Sequence, residues 1–141
     1  MTGQDGNAAF ELHPRLAADT EAVRGLGLSR LLLMNDRRFP WVILVPERAG
    51  TREIHHLGEA DRAVLMEEIA RVGAALQDLF TPDKINVGAI GNIVPQLHVH
   101  VVARRVGDAA WPGPVWGAGT AEPYAAGTLA ETVRRIAAAL D

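Results

Sequence analysis

The sequence predicts an α+β protein: an antiparallel sheet of about five strands with one long helix and a C-terminal helix. Three observations carry this expectation. Two apolar runs, residues 31–34 and 42–45, are separated by the turn-forming residues 35–40. Leu65, Ile69, Val72, Leu76 and Leu79 recur at helical spacing, which makes Glu59–Phe80 an amphipathic helix. Two more strand-like segments follow at 84–90 and 97–103. The first two runs read as antiparallel neighbours joined through residues 35–40, which sets the sheet as antiparallel.

The elements follow in order. Residues 1–9 are polar and glycine-bearing and are expected to be a flexible tail. Residues 14–18 give one helical turn and residues 20–24 a short strand, with Gly25 and Gly27 bracketing the next turn. The run 42–45 ends at Pro46 and pairs with 31–34. Gly58 can cap the long helix and Pro82 lies beyond its end. Thr128 and Glu131 stand at capping-box spacing, ahead of the apolar stripe Leu129, Val133, Ile136 and Leu140. Between the last strand and this helix lies a connection, residues 107–124, rich in proline, glycine and tryptophan; so long a segment without regular structure is often functional.

Composition bounds the function. A chain of 141 residues fits a single domain, 1–141, able to bury roughly 68% of its unfolded surface. The formal net charge of -3, with charges scattered, argues against a nucleic-acid polymer or an anionic membrane as partner. No cysteine is present, which excludes disulfides, thiolate metal sites and cysteine nucleophiles and fits a reducing cytoplasm. No secretory signal or membrane-spanning run is apparent.

The most informative stretch is 95–102. Side chains of a strand alternate faces, so Gln96, His98 and His100 point one way while Leu97, Val99 and Val101 point the other. At about 3.3 Å per residue, both imidazoles can reach one anionic group. Three readings of the pair are open. The histidines can be structural. They can supply two nitrogens to zinc, with a third ligand from His13, His55, His56 or a carboxylate, although none of these has a telling spacing to the pair. Or a neutral imidazole can attack an electrophile while its other nitrogen is held by a hydrogen bond.

These residues resemble the histidine-triad (HIT) nucleotide hydrolases and transferases, whose signature alternates three histidines with apolar residues. His98 matches the middle, nucleophilic position and His100 the last; Gln96 takes the first, where the family usually has histidine. Lys84, Ile85, Asn86, Val87 and Gly88, then Gly91, Asn92, Ile93 and Val94, resemble the family's preceding strand and turn, and the likeness extends over about residues 15–117. It implies a HIT-like fold, a homodimer and no cofactor. It also implies attack by His98 on the α-phosphorus of a nucleoside phosphate derivative, a nucleotidyl-histidine intermediate, and assistance from His100 and Gln96.

Further positions take both a bland and a functional reading. Asn35 is a turn former or, by the resemblance, a ribose contact. Asn86, Asn92, Gly91 and the backbone of Ile93 fall where the family binds phosphate, but Asn92 replaces the usual glutamine and Ile93 the usual serine, whose hydroxyl is therefore absent. Trp41 takes the place of a further histidine and is expected to pack in the core or its rim. Trp111 and Trp116 can wall a base or a dimer seam, and His55 and His56 fit a loop or cap. The departures at Gln96, Ile93 and Trp41 keep a second function open, a nucleotide-binding module with little turnover.

Overall fold

The computed structural model describes residues 9–141, so all but the last residue of the expected tail lies outside the described residues. In chain order it contains α1 (Pro14–Asp19), β1 (Thr20–Gly25), β2 (Ser29–Met34), β3 (Trp41–Pro46), a 3-10 turn (Ile54–His56), α2 (Glu59–Phe80), β4 (Lys84–Gly88), β5 (Val99–Arg104) and α3 (Ala126–Ala139). The five strands form one antiparallel sheet in the order β1-β2-β3-β5-β4, the architecture expected from the sequence.

Every residue of β3 and of β5 is buried, because the sheet is covered on both faces. On one face Leu31, Leu33, Val42 and Val101 pack against Val72 of α2 and Ile136 of α3. On the other, Leu32, Ile43 and Val102 pack with Leu16 of α1, Phe39 and Val115. Each such side chain contributes on the order of 1.5–3 kcal/mol. The second face is the one to which His100 belongs by strand alternation, so the site sits on the sheet face that lacks the long helices.

Helix α2 ends where its cap residue Thr81 takes a left-handed conformation, φ 43°, and donates its N–H to the Gln77 carbonyl. One polar residue on its inner side, Glu68, is buried; its carboxylate accepts the N–H groups of Leu28 and Ser29 at 2.9 and 3.1 Å, tying the β1–β2 turn to the helix. Two local expectations are corrected. Helix α3 starts at Ala126 with Ala125 as N-cap, so Thr128 and Glu131 lie inside it; Leu129 N–H already bonds the Ala125 carbonyl, and Glu131 pairs with Arg134 instead of capping. The last strand begins at Val99 rather than at residue 97, because β3 pairs with it only as far as Val99; Gln96 and His98 precede it.

Residues 105–125 cross the second face without helix or strand. Buried charges fasten both ends. Arg104 bonds both carboxylate oxygens of Asp108 at 2.8 and 2.9 Å, and this guanidinium holds the Asp108 carboxyl well below the usual carboxylate range. At the other end Asp36 accepts from Arg38 and from the Glu122 N–H. Burial alone would raise the Asp36 pKa, yet these bonds lower it.

Candidate active site

His98 and His100 are both buried, 6% and 5% exposed, with ring centroids 4.9 Å apart. Nδ1 of His98 lies 2.7 Å from the Gln96 carbonyl oxygen. A carbonyl only accepts, so in the neutral ring Nδ1 carries the proton and Nε2 keeps a free lone pair. His100 is fixed the other way. Its Nδ1 lies 3.0 Å from the indole nitrogen of Trp41, which only donates, so Nδ1 is the acceptor and the neutral ring holds its proton on Nε2. Burial, and secondarily the neighbouring His98, push the His100 pKa down to about 3. The site thus sets a lone pair and an N–H side by side without a formal charge on His100.

Trp116 completes the surroundings. Its ring meets His100 edge-on at 5.3 Å, and its indole nitrogen is buried without a partner among the described residues. The ring lies so close over Gly88, opposite His100 in the sheet, that a Cβ there would fall 2.8 Å from it. Glycine at 88 is what lets Trp116 reach the histidine.

Two cavities meet at His98. The first, about 360 Å3, is lined by both histidines, Trp41, Trp116, Leu16 and Arg15. It adjoins a hollow of about 410 Å3 lined by Asn35, Asp36 and Arg38, with Asp19, Met34, Trp41 and Gly117 shared between the two. The second cavity, about 280 Å3, is lined by His98, Gln96, Arg52 and His55. Ile90 and Gly91 belong to both cavities that contain His98.

The structure brings some sequence-picked residues together and ties others elsewhere. Gly91, Asn92 and Ile93 rim the cavity of the two histidines, and the Ile93 side chain is 72% exposed. Asn86 is not among the residues lining these cavities; its carbonyl oxygen accepts from Arg104 at 2.9 Å. Asn35 lines the adjoining hollow, but its carbonyl oxygen accepts the Tyr124 N–H at 2.9 Å and thereby holds the long loop. The amide of Gln96 is engaged at both ends: Oε1 accepts the His13 N–H and Nε2 donates to the Glu11 carbonyl, each at 2.9 Å. His56 caps its own turn through Nδ1, whereas His55 lines the second cavity. Among the described residues no group of three or more His, Cys, Asp or Glu side chains could hold a metal ion.

The sequence alone did not reveal the bond from Trp41 to His100. Trp41 does pack in the core, as expected, but its indole N–H also fixes a neighbouring imidazole. The available signal was its sheet register, which places it two residues from the partner of His100.

Comparison with known proteins agrees with this geometry. The HIT domain model matches residues 15–107, and the chain belongs to the histidine triad family. It is similar to solved histidine triad proteins from Sinorhizobium meliloti 1021 (50% identity over 90% of this chain and 94% of that one, TM-score 0.89), from Bradyrhizobium japonicum (44%, 94% and 99%, TM-score 0.92) and from Marinobacter aquaeolei VT8 (44%, 94% and 97%, TM-score 0.92). The comparison with curated proteins gives no match. No helix among the described residues is long and apolar enough to cross a membrane.

Proposed function

We propose that the protein is a nucleotide hydrolase or nucleotidyl transferase acting at the α-phosphate of a nucleoside phosphate derivative: a dinucleoside polyphosphate, a phosphoramidate or an adenylate. The observation that carries this reading is the pair of opposed tautomers, a free Nε2 lone pair on His98 beside an Nε2–H on His100. His98 attacks phosphorus in line and forms the nucleotidyl-histidine; water or another acceptor then resolves it. His100 donates to the oxygens on which charge builds. Gly91, Asn92 and the Ile93 backbone border the phosphates, and the hollow beside Asn35 receives the nucleoside.

Intact-mass measurement after incubation with adenylated and guanylated compounds tests this. A nucleotidyl increment that is present in the wild type and lost in His98→Ala supports it. Absence of any increment or turnover, with nucleotide still bound by His98→Ala, favours the binding module, a reading supported by the engaged Gln96 amide and the missing hydroxyl at Ile93.

We take residues 1–141 as one such domain, cytoplasmic and paired as a homodimer. Strand β4 is at the edge of the sheet and its Val87 is 52% exposed, as a surface awaiting a second copy would be. Light scattering on the purified chain at micromolar concentration should give twice the monomer mass.

A further inference from the structure

The strand neighbours of His100 support its ring on one flank only. Across β3 it is paired with Ile43, and Trp41 of the same strand bonds its Nδ1 at 3.0 Å. Across β4 its partner is Gly88, which offers no side chain to lean against. We propose that Trp116 fills this gap as a positioning residue, its ring seated over Gly88 so that the His100 imidazole keeps the orientation in which Nε2–H meets the reacting phosphoryl group. This inference rests on the nucleotidyl-transfer reading above and brings the long loop, residues 105–125, into the reaction.

The ring contacts define the seat. Trp116 lies 5.3 Å from His100 between centroids, His98 4.9 Å and Trp41 5.7 Å, so three rings enclose the imidazole. One hydrogen bond at Nδ1 fixes the tautomer but lets the ring pivot about that bond; close packing on the remaining sides removes the freedom. A Cβ at position 88 would fall 2.8, 3.3 and 3.5 Å from three carbons of the Trp116 six-membered ring, which therefore occupies the place of the missing side chain. No hydrogen bond of its own draws Trp116 there. Its buried indole nitrogen has no partner among the described residues, so shape decides where the ring lies. The backbone around it is fastened. Val115 is buried in the core of the second face, the Ala118 N–H bonds the Val115 carbonyl at 3.2 Å, and Arg38 donates to the Ala118 carbonyl at 2.7 Å. A ring carried on so fixed a turn can act as a stop for its neighbour.

A donor to developing charge acts only while it is aimed, and a misplacement of about 1 Å can cost on the order of 100-fold in rate. Gly88 isolates this effect. It lines none of the three hollows at the site, and its φ is not positive, so the backbone accepts alanine and the new methyl group meets the Trp116 ring.

A double-mutant cycle tests the proposal, with kcat and KM measured on an adenylated compound that labels His98. Gly88→Ala should lower kcat about tenfold with KM within about threefold of wild type, and Trp116→Ala should lower kcat as far. In the Trp116→Ala chain, adding Gly88→Ala should cost less than about twofold more, because the methyl group then enters vacated space. Trp116→Phe, which keeps a ring and loses only an N–H without a partner, should recover most of the rate. Equal losses from Gly88→Ala in both backgrounds, an unchanged kcat in Gly88→Ala, or a Trp116→Phe chain as slow as Trp116→Ala would overturn the proposal. The nitrogen chemical shift of His100 Nε2, read by NMR in histidine-labelled protein, needs no turnover. It should move in Gly88→Ala and stay put when Gly88→Ala is added to Trp116→Ala; the same shift in wild type and Gly88→Ala would also overturn the seat. Shifts that follow this cycle while no compound labels His98 would leave the seat standing and remove the transfer reading.

Discussion

The indole N–H of Trp41 donates to Nδ1 of His100 across 3.0 Å in the protein interior. Protonating His100 would set a second N–H against the first, so the contact opposes the charged ring in addition to the burial that already lowers its pKa. Replacing Trp41 with Phe keeps an aromatic ring there and removes the donor. Turnover should fall by about tenfold, the worth of one buried hydrogen bond. The acid limb of the kcat–pH profile should move upward as His100 regains basicity. A profile identical to that of the wild type would show that the indole only packs.

The same depressed pKa makes stability depend on pH. His100 holds its proton to about pH 3 in the folded chain and near pH 6.5 in the unfolded one, so between those values the unfolded state binds more protons. The stabilisation is full above pH 6.5 and is lost as pH falls toward 3. From pH 7 to pH 5 this one group should lower the unfolding free energy by about 2 kcal/mol. Denaturant titrations at the two pH values check it, and His100→Gln should flatten the difference.

Glu68 supplies a prediction about the fold alone. Its carboxylate is the acceptor for two buried backbone N–H groups, those of Leu28 and Ser29. Glu68→Ala leaves both unpaired and should cost about 2–3 kcal/mol of stability. The loss would be read as a drop in the urea midpoint at unchanged slope.

How far the sequence disclosed this molecule depended on the range of the interaction. Helix Glu59–Phe80 was legible to its ends because periodicity, Gly58 and Pro82 are all local. So was the proximity of His98 and His100, which the spacing of neighbouring residues imposes. Partners distant in the chain were not legible. Gln96 bonds a backbone N–H 83 residues away, and Trp41 and His100 are 59 apart. Asn86 and Asn35 were legible as polar positions in need of partners, but Arg104 and Tyr124, which meet them, lie 18 and 89 residues away. Spacing also misled at Thr128 and Glu131, where packing of the α3 stripe carries the helix past an attractive cap.

Gln96 gives the last prediction. Its place at the first triad position implied assistance at the phosphorus, yet its amide bonds the main chain at Glu11 and His13. The segment it holds runs directly into α1, whose Arg15 and Leu16 line the cavity of the two histidines. Gln96→Ala removes two hydrogen bonds, together worth about 1–3 kcal/mol, from the attachment of that wall and none from the tautomer of His98, which uses the backbone carbonyl of residue 96. KM should therefore rise by about tenfold with kcat within about threefold of wild type, and the amides of residues 15–18 should exchange faster with solvent. Gln96→Glu, which retains an acceptor for the His13 N–H but loses the donor to Glu11, should fall between the two. A fall confined to kcat, with exchange unchanged, would instead place the Gln96 amide on the substrate in the transition state.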